Sequence, residues 1–224
     1  MEKSVIPSLL ILGLMAALVV PAFAGTLYDN TGPTSYGNNF YPYFAINDGM
    51  SVADSFTLSS SATVTGVNFG AWLNEDDTMS SVEWLVTTSA FGGTTEGSGT
   101  ATVTGTYMGP LPGDMGYDIY KNSFAIPDLS LTAGTYYLQL QNGVTAFGMG
   151  VGWDAGNGPS DAVMQWSGST TDLKDYEGNA GSNSETFQIL GDYDTNATPE
   201  PSSFLLLGSG LAGLAGLIKR KLTA

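Results

Sequence analysis

The sequence predicts an all-β protein: an antiparallel β-sandwich, jelly-roll-like, set between an N-terminal signal helix and a C-terminal transmembrane helix. Three observations carry this. Apolar residues alternate with polar ones in many short runs. Gly- and Pro-containing turns separate those runs. Charge-free apolar stretches lie at the two ends, 9–20 and 204–218, outside the alternating region.

The first predicted strand is 52–58. In 63–72 the parity of the apolar positions changes. Val64 is even, whereas Val67, Phe69 and Ala71 are odd. Gly66 stands at the switch, which predicts a bulge or bend there. Val82, Trp84 and Val86 then alternate with Glu83, Leu85 and Thr87. Runs at 99–107 and 117–126 follow. Tyr136, Leu138 and Leu140 alternate with Tyr137, Gln139 and Gln141, and Phe147, Met149, Val151 and Trp153 alternate with small residues. Runs at 162–166 and 185–190 bring the total to about nine short strands, a pattern suited to two packed antiparallel layers. The predicted turns are Gly92-Gly93, Pro110-Leu111-Pro112-Gly113, Ala133-Gly134, Asn142-Gly143 and Gly156-Asn157-Gly158-Pro159. Trp84 and Trp153 fall on the apolar parity of their strands and read as core. Tyr41-Pro42-Tyr43-Phe44 reads as an aromatic loop.

Composition excludes more chemistry than it offers. The chain has no Cys and no His. A thiolate nucleophile, an imidazole base and the usual zinc ligands are therefore absent. Net charge is −15, and between 25 and 198 the only basic residues are Lys121 and Lys174. Such a surface repels phosphate backbones, so no nucleic-acid partner is expected. Paired carboxylates could in principle make a glycoside hydrolase. No spacing singles out a pair, and the expectation is a protein that is not an enzyme.

The ends are organised for traffic. A short charged start and an apolar run lead to Pro21-Ala22-Phe23-Ala24. Ala22 and Ala24 occupy the two positions signal peptidase reads, which predicts cleavage after Ala24. The chain divides accordingly into a signal peptide at 1–24, a β-sandwich ectodomain at 25–194, and a linker with a sorting segment at 195–224. That last segment runs Pro199-Glu200-Pro201, then the apolar stretch 204–218, then Lys219-Arg220-Lys221. Two prolines keep the backbone extended. The apolar stretch is slightly short for a full span, and the basic residues belong on the cytoplasmic side.

This order of parts closely resembles the PEP-CTERM sorting signal. The segments 52–58, 64–67, 131–137 and 185–191 also resemble recurring phrases of PEP-CTERM ectodomains. The resemblance implies export across the inner membrane, anchoring by the C-terminal helix, and processing by an exosortase-type membrane enzyme. The mature protein would then be at the cell surface or extracellular, with association to exopolysaccharide and biofilm matrix expected. It implies no catalytic residue.

Two acidic clusters are candidate binding sites. Asn74, Glu75, Asp76 and Asp77 could supply oxygens to calcium, which needs six to eight; the other reading is a solvated acidic loop. Asp172, Asp175 and Glu177 carry the same two readings. No other cofactor is expected. The alternative functional class is a carbohydrate-binding or calcium-dependent adhesion module.

Overall fold

The computed structural model describes residues 24–30, 44–111, 116–156, 158–172, 175 and 184–194. The chain divides into two units, Met1–Asp192 and Tyr193–Ala224, and the second is described only at Tyr193 and Asp194. The signal helix, the aromatic residues 41–43 and the transmembrane helix lie outside the described residues.

In chain order the strands are β1 (Gly25–Asn30), β2 (Phe44–Ala45), β3 (Met50–Leu58), β4 (Ala62–Asn74) and β5 (Met79–Ser89). Then come β6 (Gly92–Thr102), β7 (Thr104–Pro110), β8 (Tyr117–Leu131), β9 (Gly134–Thr145) and β10 (Val151–Trp153). The last are β11 (Ala155–Gly156), β12 (Val163–Trp166), β13 (Ser169–Asp172), β14 (Ser184–Glu185) and β15 (Phe187–Tyr193). The all-β expectation holds, and every described pairing is antiparallel.

One sheet has six strands in the order β13-β12-β3-β9-β5-β6. The other has seven and is centred on β4. One edge of β4 pairs along its length with β8, which in turn pairs β7. The opposite edge is shared between β15, which continues to β1, and β10, which continues to β2. The changeover falls at Gly70, whose N–H donates to Thr186 O (3.1 Å) while its carbonyl accepts from Asp154 N (3.0 Å).

The inward positions follow the period-two pattern. Val52, Phe56 and Leu58 on β3, Val82, Trp84 and Val86 on β5, and Tyr136, Leu138 and Leu140 on β9 are all buried. A string of rings links the two sheets. It runs Phe124–Phe69–Trp153–Phe187–Tyr28 in one sheet and then Phe56–Tyr136 in the other, with neighbouring centroids 5.6 to 6.3 Å apart. Each such pair adds about 0.5–1.5 kcal/mol beyond its buried area.

The bulge expected at Gly66 is present: the β4–β8 register shifts between Val64 and Gly66. Other expectations are corrected. Asn142-Gly143 is not a hairpin turn. It lies within β9, where Ser81 pairs Val144 and Glu83 pairs Gln141, so the two residues form a bulge. Asn142 has φ 49°, the left-handed conformation that made this dipeptide look like a turn. Gly92-Gly93 begins β6, and the hairpin turn is Ala90-Phe91. The run 99–107 is two strands: β6 belongs to the six-stranded sheet and β7 to the seven-stranded one, with the break at Val103. Phe147 and Met149 precede β10 rather than belonging to it. Their loop is tied down through Thr145 and Asn47, and both side chains are exposed.

Candidate functional site

Of the acidic loop after β4, the structure turns one residue inward and leaves two in solvent. Glu75 and Asp76 are exposed; Asp76 is left-handed (φ 64°) and donates its N–H to Asp118 Oδ2 (3.2 Å). Asp77 is buried. Its Oδ1 accepts from Thr78 N (2.8 Å) and Phe147 N (3.2 Å), so this side chain braces the 145–150 loop. Asn74 ends β4 and its carbonyl accepts from Asp77 N (3.0 Å). Among the described residues no group of three His, Cys, Asp or Glu side chains is placed to hold a metal ion. Asp172 closes β13, Asp175 is exposed, and Glu177 lies outside the described residues.

A second polar assembly was not singled out in the sequence. Asp54, Asp154 and Glu185 are all buried, from β3, the β10–β11 connection and β14. Asp54 Oδ2 accepts from Glu185 N (2.7 Å) and Asn30 Nδ2 (3.2 Å), and Asp54 Oδ1 from Ser55 N (2.6 Å). Asn30 Nδ2 also reaches Ser160 Oγ and Glu185 O, both at 2.7 Å. Asp154 Oδ1 accepts from Trp72 Nε1 (2.6 Å) and Oδ2 from Thr186 Oγ1 (3.2 Å). Glu185 has neither carboxyl oxygen hydrogen-bonded. Burial pushes Asp54 and Asp154 up to about 7, against the opposing pull of their hydrogen bonds. Burial raises Glu185 well above the usual carboxylate range, and the neighbouring Asp54 and Asp154 raise it further. A buried carboxyl without a donor is far cheaper to keep neutral than ionised. One signal could have found Asp54: it shares the parity of Val52, Phe56 and Leu58 and so had to point inward.

Two surface concavities are formed wholly by described residues. One, about 290 Å³, is lined by Asn47, Asp48, Asn142, Gly143, Val144 and Met149 among others, beside the exposed Phe147. The other, about 270 Å³, is on the outward face of the six-stranded sheet and is lined by Leu85, Thr87, Phe91, Gly92, Gly93, Thr95, Gln139 and Gln165.

Of the predicted processing sites, Ala24 alone is among the described residues. Ala24 is exposed directly before β1, and Gly25 pairs Gly191 of β15. Ala22, Pro199, Glu200, Pro201, Lys219, Arg220 and Lys221 lie outside the described residues.

Comparison with known families decides the reading of the tail. Residues 197–221 match the PEP-CTERM protein-sorting motif. No curated protein matches the chain. The PEP-CTERM match covers 197–221 and none of the strands, so the tail carries a sorting motif of the kind that supports exosortase-dependent sorting of an exported protein. It assigns no chemistry to either concavity.

Proposed function

We propose that this is an exported, non-catalytic β-sandwich protein of jelly-roll-like layering, displayed at the cell surface or released, and associated with extracellular polysaccharide. The PEP-CTERM motif at 197–221 is the observation that carries this reading. Signal peptidase would cleave after Ala24, which leaves every residue of β1 in place. The apolar stretch 204–218 would hold the chain in the membrane until the exosortase-type enzyme acts, with Lys219–Lys221 on the cytoplasmic side.

The non-catalytic role is supported by the absence of His and Cys. It is supported too by the burial of Asp54, Asp154 and Glu185, the acidic groups with raised pKa, none of which lines either described concavity. No cofactor is part of this reading.

Fractionation of cells producing the full chain tests it. The protein should co-purify with the extracellular polysaccharide and come free when that polymer is enzymatically degraded. A variant lacking 197–224 should lose this distribution. A protein that stays in the inner membrane, or that leaves with the medium whether or not the polymer is present, contradicts it.

A further inference from the structure

We propose that the outward face of the six-stranded sheet, at the concavity between Phe91 and Gln165, binds a neutral polysaccharide; this rests on the matrix-association reading above and names its contact surface. Register places the residues. Leu85 and Thr87 alternate with the buried Trp84 and Val86, Gln139 with Leu138 and Leu140, and Gln165 with Met164, which pairs the inward Val52. All four therefore point away from the core. An outward face of a sheet is ordinarily solvated. Here Ala53 is fully buried, Thr87 is 3% exposed and Gln139 is 8% exposed. Ala53 pairs with both Gln139 and Val163, so the smallest side chain of that row stands between larger ones. The face has a recessed floor.

One wall is a turn in an unfavourable conformation. Phe91 is the second residue of the two-residue Ala90-Phe91 turn and has φ 52°. That position favours glycine, and a bulky residue there is strained. The turn is held: Thr88 Oγ1 accepts from Thr94 N (2.9 Å). The strained position thus presents an aromatic ring at the rim of the recess, a pattern concentrated at functional sites.

The lining's chemistry names the ligand class. The chain carries 21 acidic residues, yet none of the eight lining residues is charged. An ionic ligand would find no counter-charge, and an anionic one would meet the repulsion of the whole domain. What the recess offers is two carboxamides, the Thr95 hydroxyl and an aromatic ring, the Thr87 hydroxyl being given to Ser89 O (2.9 Å). Gln139 Nε2 donates to Gln141 Oε1 (2.8 Å), which fixes one amide in place. Amides both donate and accept, matching the hydroxyls of a sugar, and a ring gives its face to the sugar's C–H surface. A neutral polysaccharide is the occupant this set of groups fits.

The test uses the mature protein recovered from its own host, titrated calorimetrically with dextran, xylan and galactomannan, and with alginate as an acidic polymer. At least one neutral polymer should bind and alginate should not. Phe91→Gly and Gln165→Ala should each weaken that binding by about tenfold or more. Phe147→Ala, beside the other concavity, should bind as the parent does. Phe91→Gly should keep or raise Tm, because glycine relieves the left-handed position; a Phe91 that served only to pack would lower it. Binding unaffected by both pocket variants, binding of alginate alone, or no binding to any polymer overturns the proposal. A parent protein that binds in this way but is absent from the matrix would count against the wider reading and leave this site standing.

Discussion

Glu185, with Asp54 and Asp154, makes the domain's stability depend on pH. Its folded pKa is raised above the unfolded value, as are those of Asp54 and Asp154, both to about 7. The native state therefore binds more protons than the unfolded chain, and stability falls as pH rises. The contribution is fully present below the unfolded carboxylate range, near 4, and is lost progressively up to and beyond about 7. Thermal unfolding should show a higher Tm at pH 4.5 than at pH 8. Glu185→Gln, neutral at every pH, should raise Tm at pH 8 and change it little at pH 4.5. An unchanged or lowered Tm at pH 8 would show that Glu185 is not held neutral by burial. Asp54→Ala acts the other way. It strands the buried Glu185 N–H and removes one of the three acceptors of Asn30 Nδ2, and should cost on the order of 1–3 kcal/mol in denaturant unfolding. At the acidic loop, Asp77 spends Oδ1 on two backbone amides of the fold, while Glu75 and Asp76 face water. Calcium or a chelator should accordingly leave Tm unchanged; a rise with calcium in proportion to its concentration would reveal a site.

At the scale of single strands, β6 shows what apolar periodicity does not capture. Its sequence, Gly-Gly-Thr-Thr-Glu-Gly-Ser-Gly-Thr-Ala-Thr, holds almost no apolar residue, and only its C-terminal end was expected as strand. The reason lies on the neighbouring strand. Trp84 of β5 lies over Gly97 and Gly99, and a Cβ at Gly97 would come 3.1 Å from Leu129 and 3.4 Å from the Trp84 ring. Glycine opposite a large ring is a known solution for a β edge, because the ring covers the bare backbone. Gly97→Val should destabilise by about 1–3 kcal/mol through this crowding. Gly99→Ala, whose Cβ would meet Trp84 at ordinary contact distance, should be tolerated. Equal unfolding midpoints for Gly97→Val and the parent would remove the packing argument. The central strands were legible because their inward residues are large and regular: Val82, Trp84, Val86 and Tyr136, Leu138, Leu140 are each buried as their parity required. β1 and β13 were not, since neither shows a sustained apolar alternation. Phe147 and Met149 misled by keeping the parity of β10 through a loop whose fold is set by hydrogen bonds from Thr145 and Asn47.

Across the whole molecule, destination and structure are written in different parts of the chain. The sorting motif occupies 197–221 and the described strands end at Tyr193. The sorting motif was legible because it is a short linear segment, defined by its prolines, apolar length and charge rather than by a fold. The buried carboxyls and the neutral recess were not, because each is assembled from residues far apart in sequence: Asn30 with Asp54 and Ser160, Gln139 with Phe91 and Gln165. The central claim is that the C-terminal segment is a processed sorting signal. Intact-mass measurement of the protein from cells with and without the exosortase-type enzyme tests it most directly. With the enzyme, the chain should begin at Gly25 and end before the apolar stretch 204–218; without it, the same N-terminus should be joined to a C-terminus at Ala224. A mature chain ending at Ala224 in both backgrounds would contradict the account.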